Sequence, residues 1–171
     1  MAEVLLARAA AARPEPAGGP VGVGSAGVWA EPGLPASDGS VAAMDRMGLD
    51  LSAHRSRRVS AQLLDDSDLV VTMESRHVVE LVSQHPDAVG RVFALRELVE
   101  LVEGTPPAPG DDLAARLAVF GEQRSVRDHL GRSDQDVVDP IGGSRAQYRR
   151  CAKELDQLCD ALATWLWGPL S

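Results

Sequence analysis

The stretch Asp136-Val137-Val138-Asp139-Pro140-Ile141-Gly142-Gly143-Ser144 decides how the second half of the chain folds. A proline disfavours helical backbone in the residue before it, so Asp139 is expected in an extended or turn conformation. The two glycines after it allow a sharp reversal. We therefore expect the Asp139 side chain to project from a loop, where a carboxylate can serve as a general acid. The local pattern by itself favours a plain turn before a helix over a catalytic role.

A long amphipathic helix is predicted directly after this loop. Ser144 and Gln147 have the spacing of a capping box, which marks a helix start. Apolar residues then recur at helical spacing, at Tyr148, Cys151, Leu155, Leu158, Leu162 and Leu166. Cys151 and Cys159 lie on this helix about 12 Å apart in rise, which is too far for a disulfide between them. We expect both to be buried core thiols.

Strands alternate with helices along the rest of the chain, a pattern typical of an α/β fold with a parallel sheet. The predicted strands are Val21–Gly24, Asp68–Met73 and Arg91–Leu95, and Asp68–Met73 is expected to be central and buried on both faces. The predicted helices are Met1–Ala12, Ser37–Met47 ending at Gly48, Ala61–Leu64 capped by Ser60, Glu74–Gln84, Arg96–Glu103, and Asp111–Leu130 broken at Gly121.

Size and charge narrow the class of protein. The 171 residues, 44% of them hydrophobic, suit one globular domain spanning residues 1–171. A net charge of −8 argues against a nucleic-acid partner, which would need clustered basic residues. No apolar run approaches the roughly 18 residues that span a bilayer, so we expect a cytoplasmic protein without a membrane partner.

Taken in order, four segments resemble the low-molecular-weight protein tyrosine phosphatase family. They are Ser25-Ala26-Gly27, Gly48–Arg57, Asp68–Met73, and Asp139–Ser144 with Tyr148-Arg149-Arg150. The resemblance implies a three-layer, doubly wound α/β fold around a four-stranded parallel sheet in the order 2-1-3-4. Residues 104–136 depart from it as a longer variable insertion.

The family's first strand and its cysteine–arginine phosphate loop have no counterpart in this sequence. The resemblance places that loop just before Met-Ala-Glu, where this chain starts. We therefore expect the domain to be N-terminally incomplete, with strand 1 absent and no nucleophile in the chain. Strand edges left open in this way are expected to favour self-association.

The resemblance assigns the proton transfer to the loop described first. In the family, a cysteine thiolate attacks phosphorus and an aspartic acid protonates the leaving group, then activates water as a base. Asp139 matches that general acid/base. Asp136 is a fallback candidate, weakened because no proline follows it. The chemistry uses side chains alone, so neither a metal nor a cofactor is expected.

Other site residues are also implied by the resemblance. Ser25, His54 and Arg57 match positions of the network that supports the phosphate loop, although they also suit a turn and a surface loop. Ile141 and Gly142 form the substrate wall, where many family members place aromatic residues.

Three functions remain open at this point. The first is phosphatase activity on a phosphorylated protein or a small aryl phosphate, absent from these 171 residues because the nucleophile is missing. The second is a non-catalytic binding or regulatory module. The third is a relative of arsenate reductases or protein-arginine phosphatases, whose branches of the family the form Pro140-Ile141-Gly142-Gly143-Ser144 resembles. Phosphotyrosine is the leading substrate by family majority, although Ile141 offers its ring no aromatic stacking.

Overall fold

The computed structural model describes residues 1–13, 21–105, 112–121 and 133–169. They form two compact units, one of Met1–Arg58 with Val138–Ser171 and one of Val59–Val137. The helices are α1 Ala2–Ala11, α2 Asp38–Asp45, α3 Ala61–Asp65, α4 Ser75–Gln84, α5 Leu95–Glu103, α6 Leu113–Gly121 and α7 Arg145–Trp167, and the strands are β1 Val70–Thr72 and β2 Val92–Ala94.

The first unit is built around α7, which packs against α1 and α2. Leu5, Met44 and Leu162 are fully buried within it. Gly39 on α2 faces the Tyr148 ring so closely that a Cβ at Gly39 would lie 2.4 Å from a ring carbon. A glycine at this position is therefore what allows α2 and α7 to approach each other.

The second unit contains a parallel pair of strands joined through α4. Val70 of β1 lies opposite Val92 of β2, and Thr72 lies opposite Ala94. The connection from β1 through a helix to a parallel β2 is the usual crossover of an α/β protein. The predicted α/β class with a parallel sheet is thus confirmed.

The strand buried throughout is β2, not the Asp68–Met73 run for which that burial was predicted. Val92, Phe93 and Ala94 are all buried, whereas β1 is half-buried before Thr72. Both α4 and α5 pack against β2. Apolar composition shows that a strand is covered, but it does not show which strand receives the helices.

The predicted strand Val21–Gly24 is wrong. Residues 21–26 belong to no strand, and Gly27 forms an isolated parallel bridge with Arg58. Two of the four residues are glycines, which offer no side chain to pack on a sheet. The 2-1-3-4 order is therefore not visible in the described residues, whose sheet has two strands.

Several predicted helix boundaries are confirmed. Ser37 and Ser60 accept hydrogen bonds from the first turns of α2 and α3 as N-caps. Gly48 has the left-handed φ of +73° expected just after the second helix. α6 ends at Gly121, and the remainder of the predicted Asp111–Leu130 helix, like much of the 104–136 insertion, lies outside the described residues.

Candidate active site

Asp139 lies on an exposed turn whose geometry is fixed by its own carboxylate. Its Oδ1 accepts a hydrogen bond of 2.9 Å from the backbone N–H of Ile141. The N–H of Gly143 donates to the Pro140 carbonyl at 2.8 Å, and Gly142 between them has a φ of +72°. This is the pattern of a type II turn, which favours glycine at its third position. The turn holds the Asp139 carboxylate in solvent reach, as predicted for a projecting loop acid.

The turn is anchored to α7 through the predicted capping box. Ser144 Oγ accepts from the N–H of Gln147, and Gln147 Oε1 accepts from the N–H of Ser144 at 2.7 Å. Gly143 is packed tightly here, because an added Cβ would lie 2.8 Å from both Gln147 Oε1 and the Pro140 carbonyl oxygen. The loop that carries the Asp139 carboxylate is therefore joined to α7 through a tightly packed, hydrogen-bonded turn.

Ser25 and His54 meet at a residue that sequence reasoning missed, Glu3 on α1. Ser25 Oγ donates to Glu3 Oε2 at 2.5 Å, and His54 Nδ1 lies 3.5 Å from the same oxygen. No local pattern links these three residues. The nearest sequence signal was the position of Glu3 in the first turn of a helix without a side-chain cap.

Arg57 joins this cluster through the backbone of Ser25. Its Nε donates to the Ser25 carbonyl at 2.7 Å. Its guanidinium also lies where a Cβ at Gly24 would be, at 2.5 Å from Arg57 Nη2. The structure thus brings together three residues that were predicted as a supporting network.

The Glu3 cluster lies at the start of α1, since Glu3 is in the first turn of that helix. Met1 is the N-cap of α1 and offers no side-chain cap. The N–H groups and dipole at such a helix start attract anions, phosphate among them.

The wall residues differ in their exposure and role. Ile141 is 66% exposed at the tip of the turn. Gly142 contributes no side chain and supplies the positive φ that the turn requires. The surface beside the Asp139 carboxylate is therefore aliphatic and open.

Asp136, the fallback acid, has a structural role in the second unit. Its Oδ1 accepts a 2.6 Å hydrogen bond from the N–H of Ser75, the first residue of α4. Glu74, the N-cap of α4, makes no side-chain cap of its own. Asp136 thus caps α4 from a distant part of the chain.

We expect Asp136→Ala to lower the free energy of unfolding by about 1 kcal/mol, the usual cost of losing a helix cap. Asp136→Asn keeps an acceptor oxygen at the same position and should retain most of that stability. Urea denaturation of the two variants measures the difference. Equal loss in both would show that the charge, rather than the cap, is what stabilises α4.

Both thiols on α7 are buried and free, as predicted. Burial, with smaller contributions from Glu154 and Asp139, raises the pKa of Cys151 to about 11. Burial, aided by Asp156, raises the pKa of Cys159 to about 12. Nucleophilic cysteines instead have a lowered pKa. Neither thiol is suited to attack a phosphate ester at neutral pH.

Alkylation should be negligible for both cysteines in the folded chain at about pH 8, where only roughly a thousandth of such a thiol is ionised. Iodoacetamide followed by mass spectrometry gives the extent of modification, with the urea-unfolded chain as the positive control. The thiol pKa values are higher in the folded chain than in the unfolded chain, so the neutral thiols stabilise the fold. Their contribution to the free energy of unfolding is complete below about pH 9 and is lost as the pH rises through about 11. Rapid native labelling of Cys151 would contradict its burial.

The described ranges contain neither a metal-ligand cluster nor a membrane-spanning helix. They hold no cluster of three or more histidine, cysteine, aspartate or glutamate side chains that could ligate a metal ion. Within them, no helix has both the length and the apolar character needed to cross a bilayer.

Comparison with known proteins assigns this fold to a family of phosphatases. The family model described as "Low molecular weight phosphotyrosine protein phosphatase" matches residues 1–106, and the chain belongs to that family.

Individual relatives refine the comparison. A probable low molecular weight protein-tyrosine-phosphatase, EpsP of Ralstonia nicotianae, is 37% identical over 78 residues, 46% of this chain and 54% of its own length. The chain thus spans about half the length of that relative. The protein-arginine-phosphatase of Bacillus subtilis is 30% identical over 85% of this chain and 76% of its own length. A YwlE arginine phosphatase with a phosphorylated active-site serine in place of cysteine has a TM-score of 0.70 at 28% identity, covering 96% of this chain and 85% of its own.

Proposed function

We propose that Asp139 is the general acid and base of a protein phosphatase reaction that proceeds through a phosphocysteine. The observation that carries the proposal is the Asp139 turn, with its carboxylate exposed and its backbone fixed by Ile141 and by the α7 cap. The chain's family membership supplies the class of reaction. The phosphorylated active-site serine of the YwlE variant supports a phosphoryl group carried by a side chain.

The proposed reaction has two displacements at phosphorus. A cysteine thiolate attacks first, forming the P–S bond as the bond to the leaving group breaks, and Asp139 gives its proton to the leaving atom. Water then attacks phosphorus, its proton passes to the Asp139 carboxylate, and the P–S bond breaks. The start of α1, beside the Glu3, Ser25 and His54 cluster, provides the N–H groups to hold the phosphate.

The thiolate must come from outside the residues on α7. Cys151 and Cys159 are buried with raised pKa values, and neither is followed by a phosphate-binding loop. We therefore propose that the 171 residues alone do not turn over substrate. The same burial weighs against the arsenate reductase alternative, which requires accessible redox cysteines.

For the substrate, we propose phosphoarginine in proteins over phosphotyrosine. Two curated relatives that align along 84% and 85% of this chain are named protein-arginine-phosphatases. The exposed Ile141 offers the Asp139 site an aliphatic wall, so a phosphotyrosine ring would lose an aromatic pair worth about 0.5–1.5 kcal/mol.

The test joins a family member's strand and cysteine–arginine loop directly before Met1, giving a fused chain. Matched peptides carrying phosphoarginine or phosphotyrosine are supplied, and inorganic phosphate is measured. We expect the 171-residue chain to be inactive and the fused chain to be active, faster on phosphoarginine. A folded but inactive fused chain would favour the non-catalytic binding module, and faster phosphotyrosine hydrolysis would overturn the substrate proposal alone.

A further inference from the structure

Three arginines converge on a shallow pocket between α2 and the start of α7. The pocket holds about 230 Å³, including space open to solvent, and is lined by Arg46, Arg145, Arg149, Gly39, Ala42 and Ala43. We propose that it binds a phosphoryl group, either as free phosphate or on a phosphorylated protein side chain. None of these residues belongs to the Asp139 turn or the Glu3 cluster, so the proposal does not depend on the phosphatase reaction.

The three guanidinium groups carry no ion pair or side-chain hydrogen bond within the described ranges. Two other arginines do have acidic partners, since Arg8 pairs with Asp156 and Arg13 with Asp160. The chain has 25 acidic against 17 basic residues, so acids are not scarce. This pocket therefore gathers unpaired positive charge on a protein whose overall charge is negative.

Two of these three arginines, both on α7, occupy helix positions that are electrostatically unfavourable without an anion. Arg145 is the first residue of α7, the end at which the helix dipole disfavours a cation. Arg149 follows four residues later, a spacing at which like charges on a helix repel. Arg46 adds a third charge from the C-cap of α2. A bound dianion would relieve all of these repulsions together.

Packing does not explain why arginines occupy these positions. Tyr148, which is buried, packs against Gly39 where α2 and α7 meet. Arg145 and Arg149, on either side of Tyr148 along the helix, are exposed. Their side chains are therefore free to meet a ligand.

A phosphoryl dianion fits this pocket better than a carboxylate does. Guanidinium groups donate paired hydrogen bonds to phosphate oxygens, and a tetrahedral anion can accept from several of them at once. A carboxylate has a single charge and two oxygens, which would leave part of the repulsion among three arginines uncompensated. Ala42 and Ala43 add only small apolar side chains to the lining of this pocket.

The experiment titrates the 15N-labelled 171-residue chain with inorganic phosphate at constant ionic strength and follows backbone amide shifts by NMR. We expect saturable shifts at Gly39 and Arg145. Arg149→Gln, which removes charge-assisted hydrogen bonds, should weaken phosphate binding about tenfold. Arg150→Gln is the matched control, because Arg150 is the next residue on the same helix, is exposed and does not line the pocket.

A second arm separates the two sources of the phosphoryl group. A phosphoserine peptide that binds more tightly than inorganic phosphate would identify a phosphorylated protein, and equal affinity would identify the free anion. The proposal is overturned if Arg149→Gln and Arg150→Gln weaken binding equally, if phosphate causes no saturable shifts, or if a glutamate peptide of the same sequence binds as well as the phosphopeptide.

Discussion

Replacing Asp139 with asparagine should lower turnover of phenyl phosphate by the fused chain by about 10²–10⁴-fold, the usual contribution of a positioned general acid. Asparagine can keep the 2.9 Å acceptor contact with the Ile141 N–H, so the turn should survive while the transferable proton is lost. The effect should lie mainly in kcat, because proton donation acts in the transition state rather than in substrate binding. Steady-state kinetics with phenyl phosphate gives the measurement.

Asp136→Asn is the control for this prediction. It keeps the cap on Ser75 and removes a carboxylic acid three residues away from Asp139. We expect turnover close to that of the unmodified fused chain. A larger loss of turnover in Asp136→Asn than in Asp139→Asn would mean that Asp136, and not Asp139, is the general acid.

Arg13→Ala should give the largest loss of stability, about 3 kcal/mol, because it leaves several acceptors without a buried donor. The Arg13 side chain is 1% exposed. It donates to the carbonyl oxygens of Gly168 at 2.9 Å and Ala9 at 2.7 Å, and to Asp160 Oδ1 at 2.7 Å and Thr164 Oγ1 at 2.8 Å. One guanidinium thus ties the end of α1 to the end of α7.

Arg8→Ala is the matched control, since Arg8 joins the same two helices through Asp156 but is 41% exposed. Exposed pairs of this kind contribute less than about 1 kcal/mol. The free energy of unfolding from urea titrations of both variants tests the contrast. Equal losses would mean that the buried guanidinium contributes no more than a surface pair.

Local patterns in the sequence predicted the parts of the fold that depend on neighbouring residues. Ser144 with Gln147 indicated the start of α7, and Ser60 the start of α3, because a cap and its partner lie within three residues. The Asp139 turn was predicted for the same reason, since a proline and two glycines constrain it directly.

Contacts between segments far apart in the chain could not be predicted from local sequence patterns. Glu3 meets Ser25 and His54 across intervals that no periodicity spans. Asp136 caps α4 from a segment far along the chain, which sequence reasoning treated as a possible acid site. Val21–Gly24 failed as a strand because strand formation depends on a paired neighbour as well as on composition.

The most direct test of proton donation by Asp139 is how strongly the effect of Asp139→Asn on kcat/KM depends on the leaving group. The fused chain and its Asp139→Asn variant are compared on aryl phosphates whose phenols span a range of pKa values. We expect the ratio of their kcat/KM values to be small for the most acidic phenols and to grow steadily as the phenol becomes more basic, because a poorer leaving group needs the proton more. A ratio that stays the same across the series would contradict the role of Asp139 as the general acid.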